Sequence, residues 1–272
     1  MLGRFPLGVM QGRLVPKYQG RYQAHPIGYW RDEFDRATEA GLELIEFILD
    51  FNDADKNPLL CDPKAITATC EASGVAVKSI CADYFMEAPL QRVEQSQVVL
   101  EKLMQTASAI GARDIVIPCV DQSSLTGEAD ARDFCEVMTK MAPKAQQLGL
   151  NLSLETDLAP APFTALLARI DNTAVTVNYD TGNSAALGFD PTEEFAAYGD
   201  QITDIHIKDR ELGGGPVVLG EGACDLATVF QLIAKLKYDG PLIMQAYRDD
   251  EGCEIFQRQK DWLEENFGSI LQ

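Results

Sequence analysis

The residues of this 272-residue chain best suited to chemistry stand at the ends of four apolar runs. Leu152-Ser153-Leu154 leads into Glu155, Val177-Asn178-Tyr179 into Asp180, Asp204-Ile205 into His206-Ile207-Lys208-Asp209, and Ile243-Met244 into Gln245. Two carboxylates, one imidazole and one amide oxygen make a mostly oxygen donor set. It suits one divalent metal ion, Mn²⁺, Mg²⁺ or Zn²⁺, better than a thiolate-preferring metal. Any one of these side chains alone is as readily a solvated carboxylate or a hydrogen-bonded histidine; four at matching places point to a site. Lys208 and Arg210 add positive charge able to bind phosphate or stabilise an enolate oxygen, the alternative being a salt bridge with Asp209. Arg248, three residues past Gln245, is a further rim candidate. The Gly213-Gly214-Gly215 run is read as a flexible loop ahead of a phosphate cradle.

For these side chains to converge, the runs that carry them must be neighbouring strands ending on one side. Short β-rich runs occur at residues 7–10, 44–47, 77–81, 115–117, 150–154, 175–177, 205–207 and 242–244. They recur about every 34 residues, the length of a strand, a helix and two loops. Between them apolar residues repeat at helical spacing, as in Leu100, Leu103, Met104 and Ala107, or Leu226, Val229, Phe230 and Ile233. Asp62-Pro63 and Asp190-Pro191 read as helix starts, Asp225 as a cap, and Gly41, Gly74, Gly111 and Gly149 as left-handed helix ends. Eight β-α units without linker or composition shift predict an α/β protein, a single (β/α)8 TIM barrel domain over residues 1–272, with chemistry at the C-terminal strand ends. A doubly wound sheet would carry a glycine-rich phosphate turn after its first strand; Gly8-Val9-Met10-Gln11-Gly12-Arg13-Leu14 has no G-x-G-x-x-G.

Composition narrows the function classes. A net charge of −19 repels phosphate backbones, which excludes nucleic acid as a natural partner. No apolar run reaches the roughly 20 residues of a membrane span and the first residues do not form a secretory signal, so the expected location is cytoplasmic. Seven cysteines, odd in number and never spaced C-x-x-C, predict buried reduced thiols. With only His25 and His206, chemistry built on a histidine cluster is excluded.

The segments Gly8–Leu14, Asn178-Tyr179-Asp180-Thr181-Gly182-Asn183, His206-Ile207-Lys208-Asp209 and Leu219-Gly220-Glu221-Gly222 together resemble the sugar phosphate isomerase/epimerase family of xylose-isomerase-like TIM barrels, over nearly the whole chain. That family includes ketose 3-epimerases, hydroxypyruvate isomerases and inosose dehydratases. The resemblance implies a metal held by Glu155, Asp180, His206 and Gln245, with Glu155 as the catalytic base; Lys208, through its charge, is the second expected catalytic residue. The epimerases carry a glutamate, their second acid/base, where this chain has Gln245. The change favours one-base chemistry, aldose–ketose isomerisation or loss of water, unless Glu46 at the end of the second run takes the missing role. Glu46 is alternatively an acceptor for a substrate hydroxyl. Arg13, Asn183, Asp209, Arg210 and Arg248 complete the expected substrate contacts. The long segment after Gln11, with Tyr18, Tyr22, His25, Tyr29 and Trp30, either closes over a polyhydroxylated ligand or anchors to the barrel or to a second subunit of a homo-oligomer.

The expected function is therefore a metal-dependent isomerase/epimerase acting on a sugar, sugar phosphate or related polyol. The alternatives are an inosose-type dehydratase and a non-catalytic sugar-binding barrel. An apurinic endonuclease on the same barrel is excluded by its need for several histidines and a DNA-binding face.

Overall fold

Eight short strands carry the fold: β1 Leu7–Met10, β2 Leu44–Ile48, β3 Ser79–Cys81, β4 Asp114–Cys119, β5 Asn151–Thr156, β6 Val175–Asp180, β7 Ile202–Ile207 and β8 Leu242–Met244. The computed structural model describes residues 5–236 and 238–270, so the outermost ends of the expected 1–272 domain and Lys237 lie outside the described residues. All eight strands pair in parallel and close in the order β1-β8-β7-β6-β5-β4-β3-β2. This is the expected TIM barrel in a single domain. The eight expected runs all contain strands: several are extended by one to three residues, 77–81 shortens to Ser79–Cys81 and 150–154 shifts to Asn151–Thr156.

Strand alternation divides the core in two. Outward side chains such as Val9, Phe47, Ile117, Leu154 and Ile207 pack with the helices into the main hydrophobic cluster. Inward ones give a small separate apolar layer, Met10, Ile48, Cys81, Val116 and Ile243. The lumen is otherwise polar: the Ser153 hydroxyl lies 2.9 Å from that of Thr176 and 2.8 Å from that of Thr203, and donates to Asp114 at 3.1 Å.

The connecting helices begin and end largely as expected. Asp190 and Asp225 accept from the backbone N–H of Thr192 and Thr228, whereas Asp62 makes no cap bond and Pro63 alone opens its helix. Gly74, Gly111 and Gly149 end three helices at φ 79°, 77° and 69°, a conformation costly for any residue with a Cβ. The thiols correct one expectation. All seven cysteines are free, but only Cys81, Cys119 and Cys135 are buried; Cys70 and Cys224 are half-buried, and Cys61 and Cys253, at the end of one helix and the start of another, are exposed. Among the described residues no helix is long and apolar enough to cross a membrane.

Phe230, fully buried, joins the helix Leu226–Lys235 to the helix Cys253–Phe267 through Phe267, whose ring centroid is 4.7 Å away. Phe230→Ala should lower unfolding free energy by about 3–5 kcal/mol in chemical denaturation; an unchanged midpoint would show that this contact is dispensable.

Candidate metal centre and its cavity

The centre forms where β5, β6 and β7 end. The pairing of β6 with β7 shifts register between Val177 and Asn178, which sets Asp180 beside His206. Glu155, Asp180 and His206 each offer a ligand atom, and these lie within 4.8 Å of one another, all buried. His206 Nδ1 is 3.4 Å from Glu155 Oε2 and 3.8 Å from Asp180 Oδ2, while Nε2 is fixed 2.7 Å from Glu46 Oε1. Burial opposes a charge on the ring, but Glu46, Asp180 and Glu155 outweigh it and hold the imidazole pKa well above its ordinary value.

Asp180 works in two directions. Its Oδ1 caps the helix Thr181–Leu187 by accepting from Asn183 N–H at 2.8 Å, which turns Oδ2 into the centre. Burial would raise its pKa, yet the Lys208 ammonium and His206 hold it well below the usual carboxylate range. Lys208 Nζ stands 2.7 Å from Asp180 Oδ2 as an ion pair and donates to Gln245 Oε1 at 2.8 Å. No aligned hydrogen bond reaches Asp180 Oδ2. Three converging donors, an oxygen short of hydrogen bonds and an ammonium drawn to the same place fit a divalent cation, and the Lys208 ammonium joins Gln245 Oε1 to Asp180 Oδ2.

A cavity of about 240 Å³ opens on the centre. Of the expected residues, Arg13, Glu155, Asn183, Lys208, Arg210 and Gln245 line it. Asn183 donates to Glu155 Oε1 at 2.5 Å and accepts from Arg210 at 2.8 Å, and Arg210 is itself braced on the Gly214 carbonyl at 2.7 Å. Gly182 permits this packing, since a Cβ there would lie 2.8 Å from Lys208 Cγ. Within the first loop Tyr22 lines the cavity, while Trp30 packs on Phe34 and Phe47 and anchors the segment to the barrel.

Three expected substrate contacts are placed elsewhere. Glu46 is fully buried beneath His206, because the inward face of β2 carries it into the lumen. Asp209 is equally buried and accepts from the N–H groups of Arg210, Gly220, Gly222 and Cys224 at 2.9–3.1 Å, so it holds a loop. Arg248 spends its guanidinium on the carbonyls of Gly12, Val15 and Asp250, tying the last strand's exit to the first loop.

Three residues outside the strand-end set also stand at the site. Asn178 Nδ2 lies 3.0 Å from Glu155 Oε2 and 3.1 Å from His206 Nδ1; its place two residues before Asp180 puts it on the same strand face. Asp83, just past β3, and Gln23, from the first loop, also line the cavity. Asp83 was within reach of the same rule; Gln23 had no periodic signal. Because Asp209 gathers four N–H groups, and a Cβ on Gly222 would sit 2.1 Å from its Oδ1, Gly222→Ala should free this loop. Amide exchange at Gly220 and Cys224 should quicken, and unchanged protection would refute the brace.

The Xylose isomerase-like TIM barrel family model matches residues 34–266. The chain is 24% identical over 263 residues to the putative L-ribulose-5-phosphate 3-epimerase SgbU of Haemophilus influenzae, covering 86% of this chain and 90% of that protein. It is 22% identical over 250 residues to the ketose 3-epimerase of Arthrobacter globiformis, covering 85% and 81%. In fold it is similar to a xylose isomerase-like TIM barrel protein from Mycobacterium smegmatis in complex with magnesium, at TM-score 0.74 and 20% identity, covering 100% and 99% of the two chains. With the closed barrel, the converging donors and a family match over most of its length, the chain belongs to the xylose isomerase-like TIM barrel family.

Proposed function

We propose that this protein is a metal-dependent isomerase or epimerase of a sugar, sugar phosphate or related polyol, which moves a proton at a carbon next to a carbonyl. The observation that carries this reading is the Glu155–Asp180–His206 cluster, whose Glu155 lines a cavity of about 240 Å³. The names of the epimerase relatives support it. Bound by Glu155, Asp180, His206 and Gln245, a divalent ion such as Mn²⁺, Mg²⁺ or Zn²⁺ would polarise the substrate carbonyl and acidify the adjacent C–H.

Glu155 then serves as the base. One carboxylate oxygen belongs to the cluster and the other meets Asn183 at the cavity wall, so Asn183, itself held by Arg210, fixes the direction of proton transfer. Lys208 offers an ammonium toward the substrate oxygen that gains charge, and Asn183, Arg210 and Arg13 supply donors for the remaining hydroxyls. Gln245 can accept and donate hydrogen bonds but carries no titratable proton near neutral pH. Glu46 acts through His206, fixing the ring so that Nδ1 faces the other ligands.

Glu155→Gln should abolish exchange of the substrate's carbon-bound proton with D₂O across a panel of ketoses, aldoses and inososes; retained exchange would remove Glu155 as the base. Calorimetric titration with Mn²⁺ tests the role of Glu46. Glu46→Gln should weaken binding about 10–100-fold, the cost of losing a ligand's outer partner, and an unaltered affinity would return Glu46 to the unassigned residues.

A further inference from the structure

Asp83 is a carboxylate that the proposed chemistry leaves unused, although it lines the same cavity as Glu155. It follows β3, whereas Glu155 ends β5, with Pro118 and Val120 from the end of β4 lining the cavity as well. Both its oxygens are held: Oδ2 accepts from Gln23 Nε2 at 2.7 Å and Oδ1 from the Cys81 thiol at 3.1 Å. The Gln23 carbonyl in turn accepts from Gln245 Nε2 at 3.1 Å and from Arg13 at 2.8 Å. Asp83 is therefore one glutamine side chain away from the amide that stands at the end of β8.

We propose that Asp83 is the second acid/base of this site, so that Glu155 and Asp83 together epimerise the substrate at the carbon beside its carbonyl. The inference rests on the proposed function and narrows it. Glu155 takes the proton from carbon, and the C–H electron pair becomes the enediolate. Protonated Asp83 gives its proton to the other face: its O–H bond breaks, the new C–H bond forms and the carbonyl returns. Glu155 ends protonated and Asp83 ionised, and exchange with water restores the pair without any oxidant or reductant. Burial, with a smaller contribution from the charges of Glu155 and Asp50, lifts the Asp83 pKa to about 6 against the hydrogen bonds from Gln23 and Cys81, which leaves both of its protonation states accessible near neutral pH. Gln23 and Cys81 are positioning residues.

The test uses the full chain supplied with Mn²⁺ in D₂O. The probes are D-2-ketohexoses and D- and L-2-ketopentoses, free and phosphorylated at the terminal carbon. Wild type should form deuterated epimer. Asp83→Asn still accepts from Gln23 but has no proton to give. It should lose epimer formation by about 10²–10⁴-fold while deuterium still enters recovered substrate of unchanged configuration through Glu155. Asp83→Glu should restore part of the epimer formation. Equal loss of exchange and epimer in Asp83→Asn would mean a structural role and overturn the proposal, as would undiminished epimer. Wild-type exchange without epimer would overturn it and leave the proposed function standing. A wild type inert toward every probe would overturn it, and one inert toward aldoses and inososes as well would overturn the proposed function too.

Discussion

Like-charge repulsion in the lumen is the constraint from which the rest of this structure follows. Glu46, Glu155, Asp180 and Asp204 are all buried around one imidazole, and ionised carboxylates so placed are costly unless compensated. Two groups offset them: the His206 imidazole, whose Nε2 lies 2.7 Å from Glu46 Oε1, and the Lys208 ammonium on the cavity side. Asp204 meets the conflict differently: burial and the Glu46 charge raise its pKa well above the ordinary carboxylate value. Of the ligand cluster, Glu155 lines the cavity, and Asp180, buried beside His206, is paired with the Lys208 ammonium, which lines the cavity as well.

The surrounding polar structure reads as support for that arrangement. Asp180 is turned inward by the helix it caps, Glu155 is steered by Asn178 from one side and Asn183 from the other, and Arg210 braces Asn183. Asp209 gathers the loop that follows, and the tight contacts at Gly182 and Gly222 let both layers approach. Each side chain that faces the ligand is therefore held by another whose own contacts are fixed, as a site working by orientation needs.

Much of this was legible in the sequence because strand periodicity is local. Short β-rich apolar runs recurring about every 34 residues marked the eight strands and therefore the strand ends at which Glu155, Asp180, His206 and Gln245 stand. Depth was harder to read. Whether a polar residue at a strand end faces the cavity or sits one layer below depends on barrel stagger, so Glu46 looked like a substrate contact when it is a prop for His206. Asp209 and Arg248 were misjudged because their partners are backbone N–H and carbonyl groups, which exist in every sequence and signal nothing. Gln23 reaches Asp83 and Gln245 through loop geometry that no repeat encodes.

The ties between the first loop and the last strand bear on how the chain folds. Arg13 bonds the Ala246 carbonyl, Arg248 bonds Gly12 and Val15, and β1 pairs with β8, contacts that span more than 230 residues of sequence. During synthesis the strands from β1 to β7 can pair in succession as an open, curved sheet, but its two edges stay unsatisfied until residues 242–248 have left the ribosome. The cavity, which takes Arg13 and Gln23 from one end of the chain and Gln245 from the other, therefore cannot close before β8 is made, and a nascent chain cut short of β8 would possess Glu155, Asp180 and His206 without the complete pocket beside them.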